Sequence, residues 1–527
     1  MVFSSLVFIS IFLPVVLILY WILPGGSVRP ADDGGEGATG LFAKNLLLLA
    51  ASLLFYAYGE PVYVFLMVIT ALLNYLWARL LVRMPTARKR IMTAAVVQNL
   101  GVLAVFKYAG FLAELWNGLG IFALPVPEIE LPIGISFFTF QALSYVIDVY
   151  RGEVEAEHSV FRVMLYISFF PQLIAGPIVK YHDIAEELNH RSLTMEGVLT
   201  GIRRFAVGLA KKVLIANYMA VIVDTLFLAE AAEMNVCVAW LGAIAYMLQI
   251  YFDFSGYSDM AIGLGWMFGF HFKENFNYPY IASSMKDFWR RWHISLSTWF
   301  REYLYFPLGG NRKGKLRTGV NKVIVFACTG IWHGASLTFL FWGLYHGFFL
   351  LMEEWLPALW ANLTGRLRGT GKADAGSQKE HAVSAGAGPR KERAVSAEGD
   401  ARKASGANSR GGWLGRFFGH VYVVLAVMIG FVFFRAETFA QGLFWVKTMF
   451  TGFTFDNASM QLFMAMLTPL NLTAMAAGLV ASTPLLRRLE KKKACQALSW
   501  PVALVLLALS MLCLAGGTYN PFIYFRF

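Results

Sequence analysis

Long apolar runs separated by short polar gaps occupy most of this 527-residue chain. A helix that crosses a membrane needs about 20 mostly apolar residues, whereas membrane-barrel strands are shorter and alternate apolar with polar positions. The runs here are of the first kind, which predicts an all-α, polytopic membrane bundle with about 10–13 spans, plus interfacial and re-entrant helices. The clearest runs are Val2–Leu23, Leu41–Tyr58, Val62–Leu81, Ile91–Leu112, Val421–Phe434, Leu462–Leu479 and Val502–Leu514.

Composition and charge support a membrane protein. Hydrophobic residues make up 57% of the chain and aromatic residues 16%, which excludes an ordinary soluble globular protein. The formal net charge of +12 does not indicate nucleic-acid binding, because Lys and Arg lie mainly in the gaps between apolar runs. The basic cluster Arg83 and Arg88–Arg90 marks a cytoplasmic loop, and counting back three spans places the N-terminus outside.

The four cysteines, Cys237, Cys328, Cys495 and Cys513, are widely separated. Their spacing matches neither a disulfide framework nor a metal-binding motif, so no metal site is expected. No Lys or Arg precedes Arg29, so the chain lacks the basic start of a cleaved signal peptide. We therefore expect the first apolar run to remain as a helix.

Polar residues interrupt the segment Tyr251–Asp259, which reads YFDFSGYSD. Asp253 and Asp259 are six residues apart and would not share a helix face, so a paired-carboxylate acid–base device is not favoured. The pattern instead predicts a helix break at Gly256 that lines a cavity. Gly265 and Gly269 are expected to allow close helix packing.

His333 lies between two apolar runs, Val323–Trp332 and Leu337–Phe349, and is expected near membrane depth. An ionisable side chain there is costly, which indicates function by default. The alternative is a hydrogen bond to a neighbouring helix, which polar residues in membrane bundles often make. Position alone leaves both interpretations open.

His293 lies in a segment with helical periodicity. Apolar residues recur at spacings of three and four and predict one aromatic-rich face of a helix from Phe288 to Tyr305. Such a basic amphipathic helix typically lies at a membrane interface or covers a cavity, and its i, i+4 positions would bring Trp289 and Ser297 beside His293. An interfacial anchor without a chemical role is the alternative.

Imidazole is the side chain whose ordinary pKa lies nearest neutrality. A histidine in a dry cavity can therefore take a proton from a hydroxyl group and return it later in the reaction. This chemistry suits acyl transfer.

Three sequence motifs resemble the membrane-bound O-acyltransferase (MBOAT) family, in particular the bacterial branch that includes alginate O-acetylation proteins. They are FWRRWHISLSTWFREYLYFPLGGNR at 288–312, IWHG at 331–334 and GLYHG at 343–347. The resemblance implies that His333 is catalytic and that His293 is a second functional position. We assign substrate binding to the residues near these motifs and to one residue of the YFDFSGYSD segment: Trp289, Arg290, Arg291, Ser297, Trp332 and Asp253.

The resemblance also implies a domain organisation around a central tunnel. N-terminal transmembrane helices would occupy residues 1–130, the catalytic core 131–360 and C-terminal transmembrane helices 413–527. Residues 361–412 contain no aromatic side chain and are rich in Gly, Ala, Ser and charged residues. Such a composition cannot bury a core, so we expect a disordered cytoplasmic linker there.

The implied activity is acetyl transfer from a cytoplasmic donor across the bacterial inner membrane. The donor would be acetyl-CoA, bound as a substrate with no tightly bound cofactor. The acceptor would be a secreted or cell-envelope polysaccharide such as alginate, modified with periplasmic acetyltransferase partner proteins. Two alternatives stay open: a D-alanyl-type transferase on the same fold, and a proton-coupled transporter whose histidines form a proton path. No clear internal duplication supports the transporter.

Overall fold

The computed structural model describes residues 1–23, 38–368, 413–490, 492–517 and 521–523. Within these ranges the protein is helical and contains no β-strand, which confirms the all-α prediction. Residues 369–412, most of the proposed linker, lie outside the described residues.

The α-helices are numbered here in chain order. They are α1 Leu13–Ile22, α2 Ala38–Ala57, α3 Tyr63–Arg83, α4 Arg88–Asn117, α5 Ile135–Arg151, α6 Val160–Ser168, α7 Phe170–Leu173, α8 Tyr181–Asn189, α9 Met195–Ala210, α10 Asn217–Phe227, α11 Val236–Met267, α12 Met285–Arg291, α13 Ile294–Phe300, α14 Gly314–His333, α15 Leu337–Arg368, α16 Trp413–Arg435, α17 Phe439–Thr451, α18 Asn457–Met466, α19 Pro469–Ala481, α20 Leu485–Glu490 and α21 Lys493–Ala515. Segments of π-helix cover Phe8–Phe12, Lys211–Ala216 and Arg301–Tyr305.

The described residues contain six helices that are long and apolar enough to cross a membrane, or up to seven if the bent pair α18 and α19 forms one span. The protein is therefore a multi-pass membrane protein, with fewer such helices than the 10–13 spans expected. Two of the runs counted from the sequence form shorter apolar helices, at Phe8–Ile22 and Leu41–Ala57. The six are Tyr63–Arg83, Pro85–Asn117, Met195–Phe227, Val236–Met267, Trp413–Arg435 and Gln496–Ala515.

Helices α9 and α11 pack at the centre of the bundle through facing glycines. A Cβ added to Gly256 would lie 2.7 Å from the carbonyl oxygen of Gly208. A Cβ added to Gly263 would lie 2.6 Å from that of Gly201. Only glycine permits such an approach, because any Cβ would collide with the backbone of the facing helix.

The predicted helix break at Gly256 is wrong, since α11 runs unbroken from Val236 to Met267. The glycine that suggested a break serves close packing instead. The role expected for Gly265 and Gly269 is also different. Gly265 lies against the chain that follows α11, and Gly269 has a φ of +80°, the left-handed conformation that commonly follows the end of a helix.

Replacing Gly256 with alanine is expected to destabilise the protein, by about 1–3 kcal/mol as for other overpacked positions. The added Cβ would force α9 and α11 apart along a buried contact. Thermal unfolding in detergent and abundance in the membrane would measure the effect. Gly101→Ala is the matched control, because a Cβ there meets no atom within 4 Å and alanine favours the helix. Equal melting temperatures for the two variants would contradict the packing argument.

Candidate active site

His293 occupies a break between α12 and α13. Its backbone has φ 43° and ψ 56°, a left-handed conformation found at only two non-glycine residues in the described part of the chain. Such a conformation is strained for a residue with a Cβ and is enriched at functional sites. The continuous helix expected from residue 288 to 305 is therefore wrong, because the chain turns at His293 and resumes at Ile294.

The aromatic residues of this segment are buried within the protein. Trp292 is 2% exposed, and His293 itself is 1% exposed. The residues of the predicted aromatic face share this burial, and their placement at a membrane interface or over a cavity stays a prediction. They are Trp289, Trp292, Leu296, Trp299 and Tyr303.

The loop between α11 and α12 holds the His293 side chain through Asn275. The Nδ1 atom of His293 lies 3.1 Å from Asn275 Oδ1. The serine that reaches the imidazole is Ser295, whose Oγ lies 3.4 Å from Nδ1. Ser297, expected beside His293 from helical spacing, lies in α13 and only its backbone N–H donates to the His293 carbonyl, at 3.1 Å. The break in the helix explains the difference.

His333 is the last residue of α14 and is 3% exposed. Its ring packs at right angles to Trp342 and Phe434, with centroid separations of 5.1 and 5.2 Å. The ring centroid of Trp332 lies 5.0 Å from that of His333 and 6.1 Å from that of His293. The two histidines predicted from sequence thus come together around one tryptophan in the protein interior.

Lys107 of α4 fixes the end of α14. Lys107 as a whole residue is 9% exposed. Its ammonium group donates to the carbonyls of Trp332 and His333 at 2.6 and 3.2 Å and to Ser136 Oγ at 3.4 Å. The last carbonyls of a helix lack partners within the helix, and a cation is favourable at that end. Lys107 therefore satisfies the backbone that carries His333.

A small cavity of about 30 Å³ adjoins His333. A volume of this size admits one or two water molecules. Its wall combines a histidine, a lysine and the residues that enter α5, so polar groups from three helices meet here. The lining residues are Lys107, Leu131, Pro132, Ile133, Gly134, Ile135, Ser136, Phe137, Ile174, Trp332 and His333.

The remaining predicted site residues lie apart from this pair of histidines. Trp289 packs against Trp342 and a third buried histidine, His346. Arg290 is exposed, and Arg291 pairs with Asp287 at 3.0 Å one turn earlier in α12. Their assignment to substrate binding stays a prediction.

Asp253 makes structural contacts on both carboxylate oxygens. Oδ1 forms a buried ion pair with Lys212 at 2.5 Å, and Oδ2 accepts a hydrogen bond from the backbone N–H of Ile523 at 2.7 Å. These contacts tie the end of the described chain to α11. A buried charge pair of this kind is costly to break, so Asp253 is better explained as part of the scaffold.

A second polar cluster surrounds Asp148 at the other end of α5. Tyr303 donates to its Oδ1 at 2.7 Å, and His182 Nδ1 lies 2.8 Å from its Oδ2. Hydrogen bonds to Asp148 and Asp183 raise the pKa of His182 to about 9, so this imidazole is protonated at neutral pH. With Glu153, ligand atoms of Asp148 and His182 lie within 4.8 Å of one another, as a metal site requires. The ion pair between His182 and Asp148 accounts for the approach of those two side chains.

Sequence reasoning missed three residues around the histidines. Lys107 gave a usable signal, because a lysine inside the apolar run Ile91–Leu112 is unusual at membrane depth. Asn275 gave none, since an asparagine in a loop is common. His346 is fully buried, and neither ring nitrogen has a hydrogen-bond partner among the described residues.

Comparison with known proteins identifies relatives that align over about two thirds of this chain. The model of the MBOAT, membrane-bound O-acyltransferase family, matches residues 152–364. The probable alginate O-acetylase of Pseudomonas aeruginosa is 44% identical over 67% of this chain and 66% of its own length. That of Azotobacter vinelandii is 44% identical over 67% of this chain and 69% of its own.

More distant relatives act on other polymers, according to their names. The peptidoglycan O-acetyltransferase of Helicobacter pylori is 37% identical over 67% of this chain and 70% of its own length. The teichoic acid D-alanyltransferase of Bacillus subtilis is 29% identical over 46% of this chain and 66% of its own. The family match includes both histidines, and the identity to several relatives is well above 30% over two thirds of the chain. The chain therefore belongs to the membrane-bound O-acyltransferase family.

Proposed function

We propose that the protein is an O-acyltransferase in which His333 is the general base and His293 orients a substrate. The observation that carries this proposal is the pair of buried histidines on either side of Trp332. Two imidazoles in a water-poor interior supply a proton acceptor and a hydrogen-bonding group within one small volume. The small cavity beside His333 leaves space for a water-sized group next to the imidazole.

The proposed reaction consumes an acyl thioester and a hydroxyl group. His333 accepts the proton of the acceptor hydroxyl as its oxygen attacks the carbonyl carbon of the donor. The tetrahedral intermediate then collapses and expels the thiolate, which takes the proton back from the imidazolium. The products are an acyl ester and a free thiol, and the histidine is regenerated.

We further propose that the acyl group is acetyl and that the donor is cytoplasmic acetyl-CoA. The relatives named for O-acetylation align over 67% of this chain at 37–44% identity, whereas the named D-alanyltransferase aligns over 46% at 29%. This difference supports acetyl over D-alanyl. The acceptor is then a secreted or cell-envelope polysaccharide, reached across the inner membrane with periplasmic acetyltransferase partners.

Deletion of the gene tests this function. We expect one secreted or envelope polysaccharide to lose its O-acetyl esters, and the wild-type gene to restore them. Alkaline release of acetate and D-alanine from each purified polymer would measure the esters. Loss of D-alanyl esters alone would favour the alternative transferase. Unchanged ester content in every polymer would contradict acyl transfer and favour the transporter.

A further inference from the structure

Asn275 lies in the loop between α11 and α12 and is 1% exposed. Its backbone carbonyl accepts a hydrogen bond from the N–H of Ile294 at 2.9 Å, which fixes the loop against the first residue of α13. Its side-chain Oδ1 lies 3.1 Å from His293 Nδ1. The asparagine thus contacts the strained turn on two sides.

Hydrogen bonds determine which way the Asn275 amide points. Oδ1 accepts from the backbone N–H and the hydroxyl of Ser295, at 3.2 and 2.9 Å. Nδ2 donates to Ser258 Oγ on α11, at 3.1 Å. A flipped amide would place its NH₂ group against the Ser295 N–H, so the observed orientation is the one that satisfies the network.

This orientation fixes the tautomer of His293. An amide oxygen can only accept, so the hydrogen of a neutral imidazole must be on Nδ1, which donates to Asn275 Oδ1. Nε2 then carries the lone pair. Nε2 is buried and has no hydrogen-bond partner among the residues that the structure describes.

We propose that Asn275 is a positioning residue that holds His293 in the tautomer protonated on Nδ1. Nε2 is thereby presented to accept a hydrogen bond from a substrate O–H or N–H group other than the reacting hydroxyl. The proposal rests on the proposed function, in which His293 orients a substrate. Asn275 acts through His293 and does not itself contact the reacting atoms.

Replacing Asn275 with aspartate tests the proposal with little change in shape. The carboxylate can still accept from His293 and from Ser295, and the Ser258 hydroxyl can donate to it. The added negative charge favours an imidazolium with hydrogens on both nitrogens, which can no longer accept through Nε2. Among the described residues, His333 of α14 is the titratable side chain whose positive charge would be opposed by a charge on His293.

We expect the acid limb of the pH profile to move to higher pH by about one to three units in Asn275→Asp. The assay is transfer from radiolabelled acetyl-CoA to alkali-labile ester in membrane vesicles that carry the full-length protein. An acid limb unchanged from wild type, at equal protein abundance, would overturn the proposal. A loss of activity that is equal at every pH would also overturn it.

Asn235→Asp is the matched control. Asn235 is also fully buried, its Oδ1 accepts from the backbone N–H of Val238 at 2.9 Å, and its Nδ2 donates to Ser459 Oγ at 3.0 Å. It caps the start of α11, about 34 Å along the helix from Ser258 at 1.5 Å per residue. We expect its pH profile to match that of wild type.

A His293→Gln background separates this inference from the proposed function. Asn275→Asp should no longer shift the acid limb there, because the imidazole that contacts residue 275 is absent. Full activity of His293→Gln alone would contradict the orienting role of His293. Reduced activity of His293→Gln, combined with an unshifted profile of Asn275→Asp in the wild-type background, would instead refute only the role of Asn275.

Asn275→Ser serves if the aspartate variant is not recovered in membranes. A serine hydroxyl can donate or accept, so it no longer selects one tautomer. We expect Asn275→Ser to lower transfer about tenfold in the wild-type background and to cause no further loss in the His293→Gln background. Residues that act as a unit show such non-additive effects. Additive losses would overturn the proposal.

Discussion

Replacing His333 with glutamine is expected to reduce acyl transfer by about 10²- to 10⁴-fold, the contribution typical of a general acid–base group. Glutamine preserves much of the volume and can hydrogen-bond, but an amide cannot accept a proton near neutral pH. The ester content of the exported polymer, compared at equal membrane abundance, measures the loss. Wild-type ester content in His333→Gln would remove His333 from the mechanism.

The same substitution at two other histidines, His420 and His293, provides the comparison for His333→Gln. His420 lies on α16, and its Nδ1 donates to the carbonyl of Ala282 at 3.2 Å, a bond that glutamine can replace. His420→Gln is therefore expected to keep full activity. His293→Gln should retain measurable activity, because its amide oxygen can still accept a hydrogen bond from a substrate. Equal and complete loss in His293→Gln and His333→Gln would mean that the division of roles is wrong.

The fold class and the two central histidines were accessible from the sequence for physical reasons. Apolar runs of membrane length can be satisfied only as helices, so the all-α prediction needed no tertiary information. His333 stood out because an ionisable residue between apolar runs is costly. His293 was recognised from its motif, since its helical spacing alone favoured an interfacial anchor.

The details of the site depended on contacts that periodicity does not encode. The helical pattern of residues 288–305 continues through His293, yet the chain breaks there because Asn275 and the α11–α12 loop hold the turn. The same break moves Ser295, rather than Ser297, to the imidazole. Gly256 illustrates the opposite error. A glycine that looked like a helix breaker is required for contact with Gly208 inside a continuous helix.

Replacing Lys107 with methionine is expected to lower acyl transfer by about 10²-fold, the effect of displacing a reacting group by roughly 1 Å. Methionine has a similar length but cannot donate to the carbonyls of Trp332 and His333. Each buried carbonyl that loses its partner costs about 1–3 kcal/mol. The end of α14 should then shift and move the His333 imidazole away from its substrate.

Lys44→Met provides the matched control for the loss of a buried lysine. Lys44 is 5% exposed on α2, and its ammonium lies 5.0 Å from the ring centroid of Tyr20, remote in sequence from the histidine pair. Both variants remove one buried ammonium group, so a general loss of folding stability should lower the amount of inserted protein to a similar extent in both. We expect Lys44→Met to keep wild-type transfer per inserted molecule, whereas Lys107→Met loses it with KM little changed and kcat reduced. Equal activity of the two variants would show that Lys107 stabilises the bundle without positioning His333.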